Sequence, residues 1–375
     1  MLKHKECKLC SKKSELISSI LNLCINCIKE KPDETKQLIL KAHESTRSFY
    51  NLPPTPPKSL GGIQCNLCAN ECIIGIGEKG YCGLRKNLNG KLISLSSTDK
   101  AVLHWYPDPH VTNCCSAWFC PAGTGSGYPK FAYTNGPEIG YKNLAIFFYG
   151  CNFDCLFCQN ASHKDIDEAS TISLNELTQV IKNDKKYSCI CFFGGSPEPQ
   201  LPFALSFSKK VLEENPNRII RICFEWNGCG NKLLVKEAAE IAFKSGGNIK
   251  FDLKCFNENL SLALSGVSNK KAYENFEFIA NEFYNERKDL PVLTATTLLV
   301  SGYVDEEEVK KISEFIASLN PEIPYSLLVF HPDFMMNDLP ITPKNQALNC
   351  YKIAKRFLRN VYLGNIHLLS NLKIY

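Results

Sequence analysis

The sequence predicts an α/β fold: a full or partial (β/α) barrel preceded by cysteine-rich metal-binding segments. Three observations carry that expectation. From Tyr141 onward, seven short apolar runs alternate with six longer helix-patterned ones. The 375 residues, 44% of them hydrophobic, are enough for two or three domains of roughly 100–200 residues each. The chain also holds 20 cysteines, most of them two or three residues from another. That spacing suits shared metals better than disulfides in a chain this long without an export signal.

The barrel strands are expected at 143–149, 188–193, 218–224, 248–253, 291–300, 325–330 and 359–363. Helical patterns fall between and after them, at 173–183, 201–215, 231–245, 270–287, 305–319 and 345–358. Strands joined by helices of this length run parallel, and such folds do their chemistry at the carboxyl ends of the strands. The barrel unit is therefore expected to span residues 141–375.

Three regions precede it. Residues 1–50 carry Cys7-x2-Cys10 and Cys24-x2-Cys27, followed by a polar, helix-like stretch. Paired knuckles of this kind read as a zinc ribbon, whose folding energy comes from the metal because about 30 residues build no sufficient core. Such a ribbon serves either as a contact for a partner or nucleic acid, or as a structural cap. Residues 51–62 form a Pro/Gly linker. Residues 63–140 form a second cysteine-rich segment, in which Cys65, Cys68, Cys72 and Cys82 supply four ligands. Zinc is the first choice there and a second iron–sulfur cluster the other. In 104–133, Cys114, Cys115 and Cys120 with His104 and His110 form a further metal set or line a substrate entrance with aromatics. Cys189, Cys191, Cys223 and Cys255 fall in or beside strands and read as core thiols.

The net charge of +5 neither demands nor excludes a nucleic-acid partner. No apolar run is long enough to span a bilayer, and the start, MLKHKECKLC, is charged. A cytoplasmic protein without membrane contact is expected.

The stretch YGCNFDCLFCQN, 149–160, places Cys151, Cys155 and Cys158 just past the first predicted strand. A structural zinc or an ordinary [4Fe–4S] cluster takes four protein ligands. Three thiolates leave a position open, which suits catalysis. The competing accounts are a zinc site completed by His163 or another distant residue, and three incidental loop thiols.

This C-x3-C-x2-C, with Phe157 before its last cysteine, resembles the signature of radical S-adenosylmethionine (SAM) enzymes. The resemblance extends to FFGGSPEPQLP (192–202), with Gly194 and Gly195, and to strand-end groups in ICFEWNG, IKFDLK and LLVFHP. It is to the branch containing pyruvate formate-lyase activating enzyme and the radical SAM member of the AmmeMemoRadiSam system, and runs through most of residues 63–375. It implies a [4Fe–4S] cluster on Cys151, Cys155 and Cys158, with SAM chelating the fourth iron. It further implies SAM contacts at Phe157, Gly194, Gly195, Lys254 and His331, with Glu225, Asn227 and Asp252 as neighbouring anchors. Ser196 stands where the family commonly has Glu, so Glu198 is the acidic candidate. The implied function is reductive cleavage of SAM to a 5′-deoxyadenosyl radical that abstracts hydrogen from a protein or small-molecule substrate, including glycyl-radical activation. The implied electron donor is a ferredoxin or flavodoxin. The alternative is a non-catalytic adaptor or electron carrier on the same scaffold.

Overall fold

The computed structural model describes residues 4–287 and 289–369. The last six residues of the expected barrel unit, 370–375, lie outside the described residues. One sheet of nine strands dominates. In chain order these are β1 Lys100–Pro109, β2 Lys142–Phe148, β3 Thr171–Ser173, β4 Tyr187–Gly194 and β5 Arg221–Trp226. They continue as β6 Ile249–Asp252, β7 Leu293–Leu299, β8 Tyr325–Val329 and β9 Val361–Gly364. The spatial order is β9-β8-β7-β6-β5-β4-β2-β1-β3. The seven strands from β9 to β2 in that order are parallel, whereas β1 joins β2 antiparallel and β3 joins β1 antiparallel. Among the described residues the two ends of this order do not pair, so the barrel is partial.

All seven predicted strands are present, each within three residues at either end. The start of β5 moves to Arg221 because Arg218 is held in the preceding loop, donating to Ile181 O, Asn215 Oδ1 and Tyr187 O. Six of the flanking helices follow the expected order, and the helix at Glu258–Ser265 was not among those expected. α1 Ile25–Glu30 and α2 Pro32–Phe49 precede the sheet. α3 Leu174–Asn183, α4 Leu201–Glu214, α5 Lys232–Ser245, α6 Glu258–Ser265, α7 Lys270–Ile279, α8 Glu306–Leu319 and α9 Lys344–Phe357 flank it. Local chemistry sets their ends. α3 opens with a capping box, Ser173 Oγ accepting from Glu176 N and Glu176 Oε2 from Ser173 N. α6 stops at Gly266, whose φ of +74° suits glycine. The pattern over 270–287 is not one α-helix: it passes into a π-turn at Ala280–Tyr284.

Successive residues of a strand face opposite sides of the sheet. On one side Phe148 stacks on Phe192, which meets Phe207 of α4. The other side faces the barrel interior. β1 lies inside the segment 63–140, so that segment contributes directly to the barrel sheet. Its prolines at 107 and 109 mask the strand signal, yet β3 pairs only with residues 100–102, so one side of β1 is open at both prolines. The N-terminal segment docks on the barrel: Tyr303 Oη donates to Leu23 O (3.0 Å) and accepts from Ser18 N (3.0 Å), while Lys29 pairs with Glu308 at 2.7 Å. No helix among the described residues is long and apolar enough to cross a membrane.

Candidate functional site

β2 ends at Phe148 and the chain turns through Gly150, at φ +77°, into the cysteine loop. The end of α6 supports that loop, Asp154 N donating to Ser265 O at 2.8 Å and Leu156 N to Leu264 O at 2.9 Å. Asp154, between the first two cysteines, is completely buried. It accepts from His43 Nδ1 at 2.7 Å and Thr46 Oγ1 at 2.9 Å, and pairs with Lys164 and Arg47. Burial opposes its charge, but Lys164, His43 and Arg47 outweigh that and hold its carboxyl well below the ordinary range.

Cys151, Cys155 and Cys158 line one side of a cavity of about 190 Å³. Gly194, Gly195 and Ser196 line it after β4, and Glu225, Trp226 and Asn227 at the end of β5. Lys250, Asp252 and Lys254 line it at the end of β6. The charges alternate: Glu225 to Lys250 is 2.8 Å, Lys250 to Asp252 3.8 Å, and Asp252 to Lys254 2.9 Å. Lys254 also lies 5.9 Å over the Phe157 ring. Burial disfavours the lysine's charge, but Asp252 overrides it and keeps Lys254 above the usual ammonium range. Asn227 Nδ2 donates to Asn152 Oδ1 at 2.7 Å and Ser196 Oγ at 3.0 Å, tying the β5 end to the cysteine loop.

The donor set fits an iron–sulfur cluster with a polar cofactor beside it. Burial pushes the Cys158 thiol up to about 11 and raises Cys151 and Cys155, so these groups would stay thiols until a metal bound them as thiolates and released their protons. Two buried ring nitrogens of the cavity wall, His163 Nδ1 and Trp226 Nε1, have no hydrogen-bond partner. A Cβ on Gly195 would lie 2.4 Å from Gly150 O, so only glycine lets the β4 loop run this close to the cysteine turn.

Ten of the expected site residues border this cavity: Cys151, Cys155, Cys158, Phe157, Gly194, Gly195, Glu225, Asn227, Asp252 and Lys254. Glu198 and His331 do not. Glu198 is fully buried behind the wall, accepting from Gly228 N at 2.7 Å and bonded to Ser196 Oγ. Burial raises its carboxyl to about 7, against the pull of those hydrogen bonds. His331 is half-exposed, its Nδ1 3.1 Å from Asp333 Oδ2. The sequence reading missed Lys250, Ser196, Trp226, Thr296 and Leu298 in the wall. Strand alternation carried a signal for Lys250, two residues before Asp252 and on the same face.

A second cavity, about 510 Å³, shares Gln159, Asn160, Phe193, Glu225, Lys250 and Leu328 with the first. The chain after β1 enters it: Trp118 Nε1 donates to Ser326 Oγ (3.1 Å), and Ser326 Oγ to Cys115 O (3.0 Å). Cys114 Sγ donates to Glu225 Oε1 at 2.9 Å. Cys114, Cys115 and Glu225 thus come within 4.8 Å of one another, but the expected His104, His110 and Cys120 are not in that group. His104 stacks on Phe147, and His110 Nε2 is 3.0 Å from Ser188 Oγ. Cys189, Cys191 and Cys223 also line this second cavity, and Cys255 is fully buried.

Cys7, Cys10, Cys24 and Cys27 converge within 4.8 Å, with Cys10 and Cys24 sulfurs 3.7 Å apart, a set able to hold a metal. Cys65, Cys68, Cys72 and Cys82 line a cavity of their own against Pro199.

The comparisons agree with this architecture. Residues 145–316 match the family model of the Radical SAM superfamily. An uncharacterized protein of Methanocaldococcus jannaschii is 27% identical over 316 residues, covering 81% of each chain. A second protein of that organism, named provisionally as a glycyl-radical enzyme activating enzyme, is 27% identical over 224 residues, 58% of this chain and 79% of the relative. The pyruvate formate-lyase 1-activating enzyme of Escherichia coli K12 is 22% identical over 204 residues, 52% of this chain and 76% of the relative. The match to the Radical SAM superfamily thus falls on the parallel partial barrel with its cysteine loop. The relatives that carry a functional name are activating enzymes, and they are similar to this chain over that domain.

Proposed function

We propose that the chain is a radical SAM enzyme of the oxidoreductase or activase type, with a [4Fe–4S] cluster on Cys151, Cys155 and Cys158 and SAM beside it. The observation that carries this reading is the convergence of three loop cysteines and the alternating charges of three strand ends on one cavity. When bound, cluster and SAM supply a 5′-deoxyadenosyl radical, which takes hydrogen from an unreactive C–H bond.

The chain's own residues bind, orient and shield. Lys254 offers an ammonium to the SAM carboxylate, and Asp252 fixes its direction at 2.9 Å. The backbone at Gly194 and Gly195 offers carbonyls to the SAM ammonium. Phe157 and Phe193 add apolar surface to that wall, and the adjoining cavity gives a substrate room close to the cofactor. The activating-enzyme relatives favour a protein glycine as substrate and glycyl-radical generation as outcome. A ferredoxin or flavodoxin serves as electron donor, in a cytoplasmic setting. Zinc in the Cys7, Cys10, Cys24 and Cys27 set stabilises a cap on the barrel, since that segment is bonded to Glu308 and Tyr303.

The test is anaerobic reconstitution with iron and sulfide, then dithionite and SAM. Formation of 5′-deoxyadenosine and methionine is expected, and Cys155→Ala should abolish it. Unchanged cleavage in that variant would falsify the assignment.

A further inference from the structure

Three cysteine sets in this chain differ in how tightly they gather. Around a single zinc, four sulfurs at about 2.3 Å from the metal lie about 3.8 Å from one another. Cys7, Cys10, Cys24 and Cys27 meet that geometry, all within 4.8 Å. Among the described residues, no three of Cys65, Cys68, Cys72 and Cys82 do so, and neither do Cys151, Cys155 and Cys158. Both of these sets instead ring a cavity. A cubane spreads its terminal thiolates over separate corners, wider than one ion can hold them.

The second set is also joined to the first. Cys82 O packs against Gly150, where a Cβ would sit 2.9 Å away. Asn70 Nδ2 donates to Asn152 O at 2.7 Å. Gly150 and Asn152 are the two chain neighbours of Cys151, so both flanks of that ligand touch the Cys65–Cys82 segment. Tyr81, fully buried, borders the second set's cavity, and its hydroxyl end lies against Gly266 at the end of the helix that supports the Cys151–Cys158 loop. Arg85 points at Cys82 Sγ from 3.8 Å, a fixed positive charge beside the thiolates.

We propose that Cys65, Cys68, Cys72 and Cys82 hold a second iron–sulfur cluster, not zinc, and that it relays single electrons to the cluster on Cys151, Cys155 and Cys158. One electron from an external low-potential donor reduces the second cluster, and the same electron passes on to the first; no bond or proton changes place. The metal assignment stands independently of the proposed function, whereas the relay rests on it.

The experiment is iron, sulfide and zinc analysis of the anaerobically reconstituted full chain and two variants. Wild type should bind about eight irons, as two [4Fe–4S] clusters, and one zinc. The triple variant Cys151→Ala, Cys155→Ala, Cys158→Ala should keep about four irons, and Cys68→Ala/Cys72→Ala about four irons and the zinc. Dithionite-reduced wild type should show an electron paramagnetic resonance signal broadened by coupling between two clusters, absent from both variants. An iron-free triple variant, carrying a second zinc or no second metal, overturns the assignment. That readout does not depend on whether the double variant folds. Two uncoupled signals in wild type overturn the relay. A wild type with only four irons, all retained by the triple variant, supports this site and overturns the proposed function instead.

Discussion

His43 in α2 and Asp154 in the cysteine loop, 111 residues apart, meet at 2.7 Å in a fully closed interior. The other ring nitrogen of His43 faces Leu262 O and Ala263 O, both at 3.1 Å. One histidine of the N-terminal segment thereby fastens the loop that carries the cysteine triad to the helix behind it.

Replacing Asp154 by Ala should therefore cost more than a cavity. It leaves Lys164 and Arg47 buried without their counter-charge, a loss on the order of 3–5 kcal/mol. Urea unfolding should show it, and iron retention should fall with it. In wild type this carboxylate's contribution is present above the ordinary carboxylate range and is lost only as pH falls through its depressed folded value.

Glu198 has the opposite sign. Its folded pKa of about 7 lies above the unfolded value near 4.5, so its contribution is full below about 4.5 and disappears as pH rises through 7. Glu198→Gln mimics the protonated acid towards Gly228 N and Ser196 Oγ. The variant should match wild type at pH 4.5 and exceed it at pH 8 by on the order of 2–3 kcal/mol, read from urea midpoints.

Lys254→Met should raise the SAM concentration for half-maximal cleavage by about 10–100-fold, the worth of one charge-assisted hydrogen bond. Asp252→Asn should have a smaller effect in the same direction, because Lys250 still borders the cavity. Both are measured by 5′-deoxyadenosine formation against SAM concentration.

Cys24→Ser should abolish metal binding by the N-terminal set and, with it, lower Tm by on the order of 5 °C. Limited proteolysis should then cut within residues 4–30 first. An unchanged Tm and digestion pattern would show that metal there does not support the cap.

Much of this fold was legible in the sequence because the seven parallel strands are short, mostly apolar runs and six of the flanking helices have a matching amphipathic period. The triad stood out by its local spacing, and the glycine pair and Asp252 and Lys254 through the resemblance their segments carry. The tertiary structure decided what depends on distance across the chain: that β1 belongs to the barrel sheet, that Cys114 reaches Glu225 inside it, that His43 anchors Asp154, and that Glu198 sits behind the cavity wall. Spacing along a chain fixes which side chains can share one turn. Only packing fixes which distant segments share one cavity, because burial and charge pairing are summed over the whole fold.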